Sequence, residues 1–259
     1  MQLKENERID ELQYKNLKII QNEDGFCFGI DSVLLSDFAK DIKSNSAGVD
    51  LGTGTGIISI LLSAKTKLEK IIGVEIQEDV AEMANRSVIL NNIQDKIEIL
   101  NLDIKDIIQN KSNNKENINK LIENKLQREK FDFVVTNPPY KKLDTGKVNA
   151  NENKYISRHE LTANLEDFLN VSKYLLKDKG AFYMVHRPDR LVDIIELMRK
   201  YKIEPKKIRF VYSSIEKEPS LILIKGIKNA NPFLKIDRPL IIYNENGEYT
   251  EEIYEIYGE

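Results

Sequence analysis

A glycine-rich turn near position 50 constrains the fold of this chain more than any other feature. It reads VDLGTGTG over residues 49–56 and follows a short apolar run that begins at position 47. Glycines at alternate positions let the backbone turn tightly and let a ligand approach without an intervening Cβ atom. Apolar residues then recur with helical spacing over 56–65. The turn therefore predicts a strand, a ligand-binding loop and a helix whose first N–H groups are unpaired.

Strand and helix patterns alternate along the rest of the chain. The apolar patterns predict strands at residues 47–51, 70–76, 96–100, 131–136 and 180–186, and helices at 56–65, 78–91, 165–176 and 190–200. Two further segments, 208–213 and 219–225, are predicted to form a closing strand pair. This alternation predicts an α/β fold with a mostly parallel sheet and helices on both faces. Ligands of such sheets bind beyond the carboxyl ends of the strands, where the glycine-rich turn lies.

The residues around the turn discriminate between two classes of cofactor. A dinucleotide site has the pattern G-x-G-x-x-G, and its third glycine would fall at Ile57. The carboxylate of Asp50 repels a pyrophosphate but attracts an ammonium group. S-adenosyl-L-methionine (SAM) carries an α-ammonium group and a sulfonium, so the turn favours SAM over a dinucleotide. A glycine-rich turn without a ligand is the alternative.

Two acidic residues after later strands fit the same cofactor. Glu75 lies 23 residues after Gly52, close to the ~20-residue offset at which an acid accepts from the ribose hydroxyls. Asp103 follows the third strand and is placed to accept from the adenine amino group, with Ile76 or Ile104 against the ring. The alternatives are a surface glutamate for Glu75 and a helix N-cap for Asp103.

The motif Asn137-Pro138-Pro139-Tyr140 follows the fourth parallel strand. Its two prolines lack N–H donors, so the Asn137 side-chain oxygen and the Asn137 and Pro138 carbonyls remain as acceptors. Two acceptors can hold both hydrogens of an amino group and direct its nitrogen lone pair at a sulfonium methyl group. The ring of Tyr140 offers a flat face for a planar substrate. We therefore predict methyl transfer to an exocyclic amine, with Asn137, Pro138 and Tyr140 as catalytic residues; a chance proline turn is the alternative.

The glycine-rich turn, the two later acids and the NPPY motif together resemble the class I SAM-dependent amino-methyltransferases. The segments GFCFGIDSVLL at 25–35, SRHE at 157–160 and MVHRP at 184–188 are similar to segments of the tRNA(Val) (adenine-N6)-methyltransferase-like family. The resemblance covers residues 26–225 and implies a Rossmann-like sheet of seven strands, mostly parallel, with an antiparallel last strand. It implies a SAM-dependent N-methyltransferase acting on the N6 amine of adenine in RNA, with tRNA as the expected RNA. The asparagine and first proline of NPPY are then expected to bind the amine, and its tyrosine to stack on the base.

Other substrates share this catalytic turn. A protein glutamine N5-methyltransferase of the release-factor type carries a larger N-terminal helical domain, whereas about 45 residues precede the turn here. A DNA adenine methyltransferase usually has a separate recognition domain of about 100 residues, for which this chain has no room. A base in an RNA loop can be turned outward without opening a duplex, which favours RNA. Methylation of rRNA or DNA, and a non-enzymatic RNA-binding module with a SAM fold, are the alternatives.

The predicted sites beyond the catalytic turn form two groups. The residues expected to bind the cofactor are Asp50, Gly52, Thr53, Gly54, Thr55, Gly56, Glu75, Ile76, Asp103, Ile104 and Asn137. The residues expected to contact the substrate are Phe28, Asp31, Lys141, Lys142, Arg158, His159, His186 and Arg187. The alternatives are a solvated loop around Arg158, structural packing of His186 and an N-cap role for Asp31. The net charge is −3, but residues 137–217 carry 17 Lys and Arg against 11 Asp and Glu, a basic rim that fits a phosphate backbone.

The 259 residues predict one methyltransferase domain with short additions. We expect an N-terminal hairpin and helix at 1–45, the SAM-dependent domain at 46–228, and an acidic extension at 229–259. The extension is expected to contain an Asn-Gly hairpin and a terminal strand or helix packed on the sheet; a partner-docking or dimer element is the alternative. The Asn- and Lys-rich residues 110–130 are expected to form an inserted loop or short surface helix, and a nucleic-acid contact is the alternative. One cysteine and two histidines predict no metal site. A charged N-terminus without an apolar run of ~18 residues predicts a cytoplasmic protein that does not contact membranes; the oligomeric state is not predicted.

Overall fold

The computed structural model describes residues 3–25, 29–109, 116–140 and 163–259. Within them the strands are β1 (Glu7–Glu11), β2 (Lys18–Asn22), β3 (Ala47–Leu51), β4 (Lys70–Glu75), β5 (Ile97–Asn101), β6 (Phe131–Thr136), β7 (Leu176–His186), β8 (Ile203–Tyr212), β9 (Pro219–Lys228), β10 (Lys235–Ile236) and β11 (Leu240–Ile241). The helices are α1 (Ile30–Phe38), α2 (Ile57–Lys65), α3 (Glu78–Leu90), α4 (Asp106–Gln109), α5 (Glu116–Lys125), α6 (Leu165–Leu175), α7 (Leu191–Lys200) and α8 (Glu251–Tyr257), with a 3-10 turn at Pro188–Arg190.

Nine of the described strands form one sheet. The order β5-β4-β3-β6-β7-β9-β8 runs across it, and β10 and β11 both pair with β8 at the far edge. Among the described strands of this sheet, β9 is antiparallel to both neighbours and the other pairs are parallel. The predicted mostly parallel sheet with an antiparallel last strand is confirmed in β3–β9. The sequence did not predict β10 and β11, because two residues are too few for an alternating pattern.

Helices cover both faces of the sheet because its central strands are apolar on both sides. Val134 and Val135 are neighbours in β6 and so point to opposite faces, and both are fully buried, one in each core. One core joins α1 and α2 to the sheet through side chains such as Leu62, and the other joins α6 and α7 through side chains such as Leu169. The carboxyl ends of the five parallel strands β3–β7 therefore lie along one edge, which the glycine-rich turn and the NPPY motif follow.

The N-terminal hairpin of β1 and β2 packs on α3. The amide of Ile20 donates to the hydroxyl of Ser87 at 3.0 Å, and the guanidinium of Arg86 forms an ion pair with Glu7. The next described element is α1, which packs against α2 and β7. Through α1, the N-terminal part of the chain reaches the carboxyl edge of the sheet.

The Asn- and Lys-rich segment contains a helix in its described part. Helix α5 buries Ile122, and Leu126, which follows it, is fully buried. Ile122 and Leu126 are four residues apart, as on one face of a helix. The polar residues around them obscure this spacing in the sequence. None of the described helices combines the length and the apolarity that a membrane crossing needs.

The C-terminal extension ends in a tight turn and a short helix. Tyr243 and Tyr249 pair across the turn, in which Gly247 has a φ of +80°. Helix α8 then buries Ile253 and Ile256 in the core that contains α1 and α2. The extension thus contains a hairpin turn and, of the two predicted terminal elements, a packed helix. The division of the chain at residue 228 stays a prediction.

Candidate active site

Three glycines in the left-handed region build the loop between β3 and α2. Gly52, Gly54 and Gly56 have φ values of +71°, +56° and +87°, which glycine adopts without a Cβ clash. The amides of Gly52 and Thr53 both donate to the carbonyl of Val74 in β4, at 2.9 and 3.0 Å. A Cβ atom on Gly54 would have no heavy atom of the described residues within 4 Å. The loop backbone is therefore open on this side, as close approach of a ligand requires.

Asp50 is fully buried at the end of β3, next to this loop. Its Oδ2 accepts from the hydroxyls of Thr53 at 2.7 Å and Ser59 at 2.9 Å, whereas Oδ1 has no hydrogen-bond partner among the described residues. Burial raises the pKa of Asp50 to about 6, and the two hydroxyls offset this only in part. A buried carboxylate oxygen without a donor is costly, so Oδ1 fits a cationic group such as the α-ammonium of SAM. Thr53 is buried in the loop and Thr55 is half-buried.

Glu75 reaches from the end of β4 back to the loop and is only 5% exposed. Its Oε2 accepts from the amide of Gly54 at 3.0 Å, and its Oε1 accepts from the amide of Gln77 at 2.9 Å. The side chain of Asn101 donates to the backbone carbonyls of Glu75 and Ile76, at 3.0 and 2.9 Å, and so ties the ends of β4 and β5. Oε1 also accepts from Nε2 of Gln77 at 3.4 Å, so Oε2 is the carboxylate oxygen that keeps a second lone pair. The position fits the predicted ribose contact, which stays a prediction.

Asp103 follows β5 and organises the turn that leads into α4. Its Oδ1 accepts from the amide of Lys105 at 2.9 Å, an Asx turn, and its Oδ2 lies 3.8 Å from Lys105 Nζ. Ile104 is buried and Ile76 is half-buried. Asp103 thus stabilises the turn before α4, a local role similar to that of a helix N-cap. Its contact with adenine stays a prediction.

The NPPY turn follows β6 at the same edge as the glycine-rich loop. The hydroxyl of Thr136 donates to the carbonyl of Leu51 at 2.8 Å, which ties the end of β6 to the end of β3. Asn137 Nδ2 donates to Asp31 Oδ2 at 3.0 Å and to Ser32 Oγ at 3.3 Å. The amide nitrogen is therefore committed to α1, and Oδ1 of Asn137 is the end left to accept from a substrate.

Tyr140 is held by the same carboxylate. Its hydroxyl donates to Asp31 Oδ2 at 2.6 Å, and its ring centre lies 5.2 Å from that of His186, with the planes at 57°. Burial, together with the charge of Asp31, holds the pKa of Tyr140 above its usual value, so its hydroxyl stays a donor. Pro138 is buried and Pro139 is exposed. The three predicted catalytic residues thus lie in one turn that α1 contacts.

His186, at the end of β7, is fully buried beside Tyr140. Its Nδ1 accepts from the amide of Arg187 at 2.8 Å, so the neutral ring carries its proton on Nε2. Burial, followed by the charge of Arg190, lowers the pKa of His186 to about 4, which makes it uncharged at neutral pH. Nε2 is buried and has no hydrogen-bond partner among the described residues, so packing alone leaves its N–H unsatisfied, and the substrate contact of His186 stays a prediction. Arg187 is exposed at 62%, and its Nε lies 3.8 Å from Asp189.

The N-cap interpretation of Asp31 is wrong. Gly29 is the N-cap of α1, and Asp31 lies in the first turn, with its side chain on the catalytic turn instead. Sequence patterns also missed Ser32 and Ser59, because a serine beside apolar helix residues carries no signal of its distant partner. Five predicted substrate residues lie outside the described part of the chain: Phe28, Lys141, Lys142, Arg158 and His159.

A cavity of about 630 Å³ lies at the opposite edge of the sheet, before β3, β4 and β5. Lys15, Lys40, Lys65 and Lys67 are among its lining residues. It adjoins the C-terminal end of α2, where unpaired carbonyl groups attract cations, and Lys15 donates to the carbonyl of Ala64 at 2.9 Å. This contact accounts for Lys15 without a substrate. Among the described residues, no cluster of three or more His, Cys, Asp or Glu side chains could hold a metal ion.

Comparison with known sequences identifies relatives of the whole chain. The sequence model of the family described as Eco57I restriction-modification methylase matches residues 69–218, more than half of the chain. A protein from Porphyromonas gingivalis named tRNA1(Val) (adenine(37)-N6)-methyltransferase is 28% identical over 251 residues, covering 94% of this chain and 91% of that protein. A protein of the same name from Flavobacterium johnsoniae is 24% identical and covers 95% of this chain and 97% of that protein.

Comparison with solved structures identifies the same fold. A crystal structure described as a predicted O-methyltransferase from Agrobacterium tumefaciens matches with a TM-score of 0.65 at 20% identity, covering 88% of this chain and 95% of that one. The structure of M. jannaschii TYW2 in complex with AdoMet matches with a TM-score of 0.55 at 13% identity, covering 88% of this chain and 87% of that one. At these identities the likeness concerns the fold, which is the Rossmann-like fold of class I methyltransferases.

Proposed function

Because the chain belongs to the Eco57I restriction-modification methylase family, we propose that it transfers a methyl group from SAM to the N6 amine of an adenine in tRNA. The observation that carries this proposal is the orientation of Asn137. Its amide nitrogen is bound to Asp31, so its oxygen is left to accept from an amine. The names of the full-length relatives support adenine as the base and tRNA as its carrier.

The catalytic turn acts on the amine through its acceptors. The Asn137 side-chain oxygen and the carbonyl of Pro138 hold the two amine hydrogens, which favours a nitrogen whose lone pair is localised. The bond between Thr136 and the carbonyl of Leu51 keeps these acceptors beside the glycine-rich loop. Alignment of the amine with the methyl donor then supplies most of the rate acceleration.

Residues at three strand ends fit SAM. Its α-ammonium group suits the buried Oδ1 of Asp50, its ribose suits Glu75, and its adenine suits Asp103 with Ile104. When bound, SAM supplies a methyl group made electrophilic by the sulfonium. The open backbone at Gly54 lies among these groups, where a Cβ atom would occupy space.

The site needs no strong base. His186 has a pKa of about 4 and its Nδ1 already accepts from a backbone amide, so it is a poor proton acceptor. Oδ2 of Asp31 already accepts two hydrogen bonds. The amine proton therefore leaves to solvent after methyl transfer, when the positively charged nitrogen has become acidic.

DNA adenine is the second candidate substrate, because the family description names a restriction-modification methylase. The full-length relatives favour tRNA, since they cover 94% or more of this chain, whereas the family model spans residues 69–218. A cytoplasmic location and an RNA partner bound along the basic rim of residues 137–217 belong to the same proposal.

Mass spectrometry of nucleosides tests the substrate directly. In a strain that lacks this protein, we expect N6-methyladenosine to disappear from the affected tRNA and to return when the wild-type chain is supplied. The Asn137→Ala chain should not restore it. Retention of the modification in tRNA, with loss from DNA or rRNA, would move the substrate assignment to that nucleic acid.

Tyr140 is expected to act mainly as a stacking surface. Tyr140→Ala should lower kcat/KM for tRNA, because it removes base–aromatic stacking, which is typically worth ~1–3 kcal/mol. Tyr140→Phe keeps the ring but loses the 2.6 Å bond to Asp31, so we expect a smaller loss of roughly threefold to tenfold. Steady-state methylation with labelled SAM measures both. Equal losses in the two variants contradict stacking.

The affinity for SAM is expected to fall below pH 6. The pKa of Asp50 is about 6 in the free protein, so below that pH the carboxyl is protonated and no longer attracts an ammonium group. As the pH falls below 6, the Kd for SAM should rise by up to about tenfold per pH unit. Above about pH 7 it should be constant. Asp50→Asn should bind more weakly, with a flat profile. Calorimetry from pH 4.5 to 8 measures this, and parallel profiles for both proteins would contradict a role of Asp50 in binding the ammonium.

A further inference from the structure

One carboxylate contacts both polar side chains of the catalytic turn. Oδ2 of Asp31 accepts from Asn137 Nδ2 at 3.0 Å and from the hydroxyl of Tyr140 at 2.6 Å. Its Oδ1 accepts from the amide of Ser32 at 2.9 Å. All three partners donate, which matches an ionised carboxylate because it only accepts.

The direction of these bonds matters because the two ends of an asparagine amide are almost the same size. A rotation by 180° exchanges Nδ2 and Oδ1 of Asn137 and reverses what the side chain offers to a substrate. The reversed amide would present donors to an amine that itself donates. It would also place Oδ1 against Oδ2 of Asp31, two acceptors in contact, so the carboxylate disfavours this orientation.

We propose that Asp31 is a positioning residue that fixes the Asn137 amide with its oxygen toward the target amine and holds Tyr140 beside it. This inference rests on the proposed function, since the amine is what the oriented oxygen binds. Asp31 acts through Asn137 and Tyr140 and takes no proton in the transfer. Its role is to select one of two amide orientations before the substrate arrives.

The fold gives this carboxylate a rigid support. Asp31 lies in the first turn of α1, and the residues that follow, Val33, Leu34 and Leu35, are 2%, 1% and 0% exposed. A group that positions others must itself be immobile. The contact of Ser32 Oγ with Asn137 Nδ2 at 3.3 Å adds a second, weaker acceptor from the same turn.

Asp31→Asn is the decisive variant because it changes hydrogen-bond polarity without changing size. With its carbonyl on the amide of Ser32, its NH2 group faces residue 137 and favours the reversed Asn137 amide. We expect kcat for tRNA methylation to fall roughly 10- to 100-fold, with the Kd for SAM and the melting temperature nearly unchanged. Asp31→Ala prefers neither orientation and should lose less. A packing role predicts the opposite order, so Asp31→Asn milder than Asp31→Ala overturns the proposal.

An exchange of the two residues provides a rescue test. In the double variant D31N/N137D, the amide at 31 donates to a carboxylate at 137, whose other oxygen can still accept from the amine. Asn137→Asp alone places two carboxylates in contact and should be nearly inactive. We expect the double variant to exceed both single variants at least roughly fivefold in kcat. A double variant no better than the weaker single variant overturns the proposal.

Asp37 supplies a matched control in the same helix. It pairs with Lys40 at 3.1 Å and Lys65 at 3.6 Å, away from the catalytic turn, so Asp37→Asn should keep kcat within about twofold. Wild-type protein that fails to methylate tRNA overturns the proposed function and the inference with it. Wild-type activity with an unaffected Asp31→Asn variant overturns only the role of Asp31.

Discussion

Replacing Asn137 by alanine is expected to lower kcat for methyl transfer by about 10²- to 10³-fold or more, which is the cost of removing one preorganised polar group at a reacting centre. The amide oxygen is the acceptor that the bond from Nδ2 to Asp31 leaves free. Without it the amine has only the carbonyl of the turn to hold its hydrogens. The Kd for SAM should change by less than about threefold, because Asp50, Glu75 and the glycine-rich loop are untouched.

Single-turnover methylation of tRNA at saturating SAM measures the chemical step, and calorimetry measures the Kd for SAM. Asn231→Ala is a suitable control, because Asn231 is exposed and lies in the C-terminal extension. The melting temperature of each variant shows whether it is folded. Activity of Asn137→Ala within tenfold of wild type would remove Asn137 from the mechanism. A loss of SAM binding as large as the loss of kcat would leave Asn137 only the cofactor-binding role that the sequence also predicts for it.

The sequence predicts the parallel half of the sheet well, because its signals are local. The bounds of β3 and β6 agree with the prediction, since each strand is a mostly apolar run, with one aspartate in it, that ends next to a residue that disfavours a strand. Gly52 has a positive φ after β3, and Pro138 lacks an N–H group after β6. A single glycine or proline in the sequence is therefore enough to predict where such a strand ends.

The antiparallel strands are longer than predicted. β8 begins at Ile203 rather than at 208, and contains Pro205 at an irregularity in its pairing with β9. A proline normally argues against a strand, but Pro205 precedes the first residue of β8 that pairs with β10, Lys207. Its missing N–H group therefore costs no bond on that side. Such a position is visible only when the neighbouring strand is known.

The sequence identified residues of the candidate site, but it did not predict the hydrogen bonds between them. Asn137, Tyr140 and Glu75 follow from motifs, because a motif states which groups stand at a strand end. The contact between Asp31 and Asn137 spans 106 residues of the chain, and no local periodicity records it. Asp50 shows the same limit, since its burial and its partner Ser59 depend on how α2 packs on the sheet.

Replacing Glu75 by alanine is expected to raise the Kd for SAM about 100-fold. A carboxylate that accepts from both ribose hydroxyls makes two hydrogen bonds to a charged group, each worth ~1.5–3 kcal/mol and not fully additive. The same change also removes the acceptor of the hydrogen bonds that the amides of Gly54 and Gln77 donate to Glu75, at 3.0 and 2.9 Å. Loss of affinity could therefore arise from the ribose or from the loop, and the two causes need separate measurements.

A ligand without the hydroxyls separates these causes. The 2′,3′-dideoxy analogue of S-adenosylhomocysteine should bind wild-type protein weakly and bind Glu75→Ala almost as well, because the contact is already missing. S-adenosylhomocysteine itself should show the full loss, and Glu78→Ala, an exposed glutamate at the start of α3, should show none. If Glu75→Ala weakens both ligands equally, Glu75 supports the loop through Gly54 and the ribose contact is wrong. If neither is weakened, Glu75 is only a buried strand-end acid, and the offset from the glycine-rich turn carries no functional meaning in this chain.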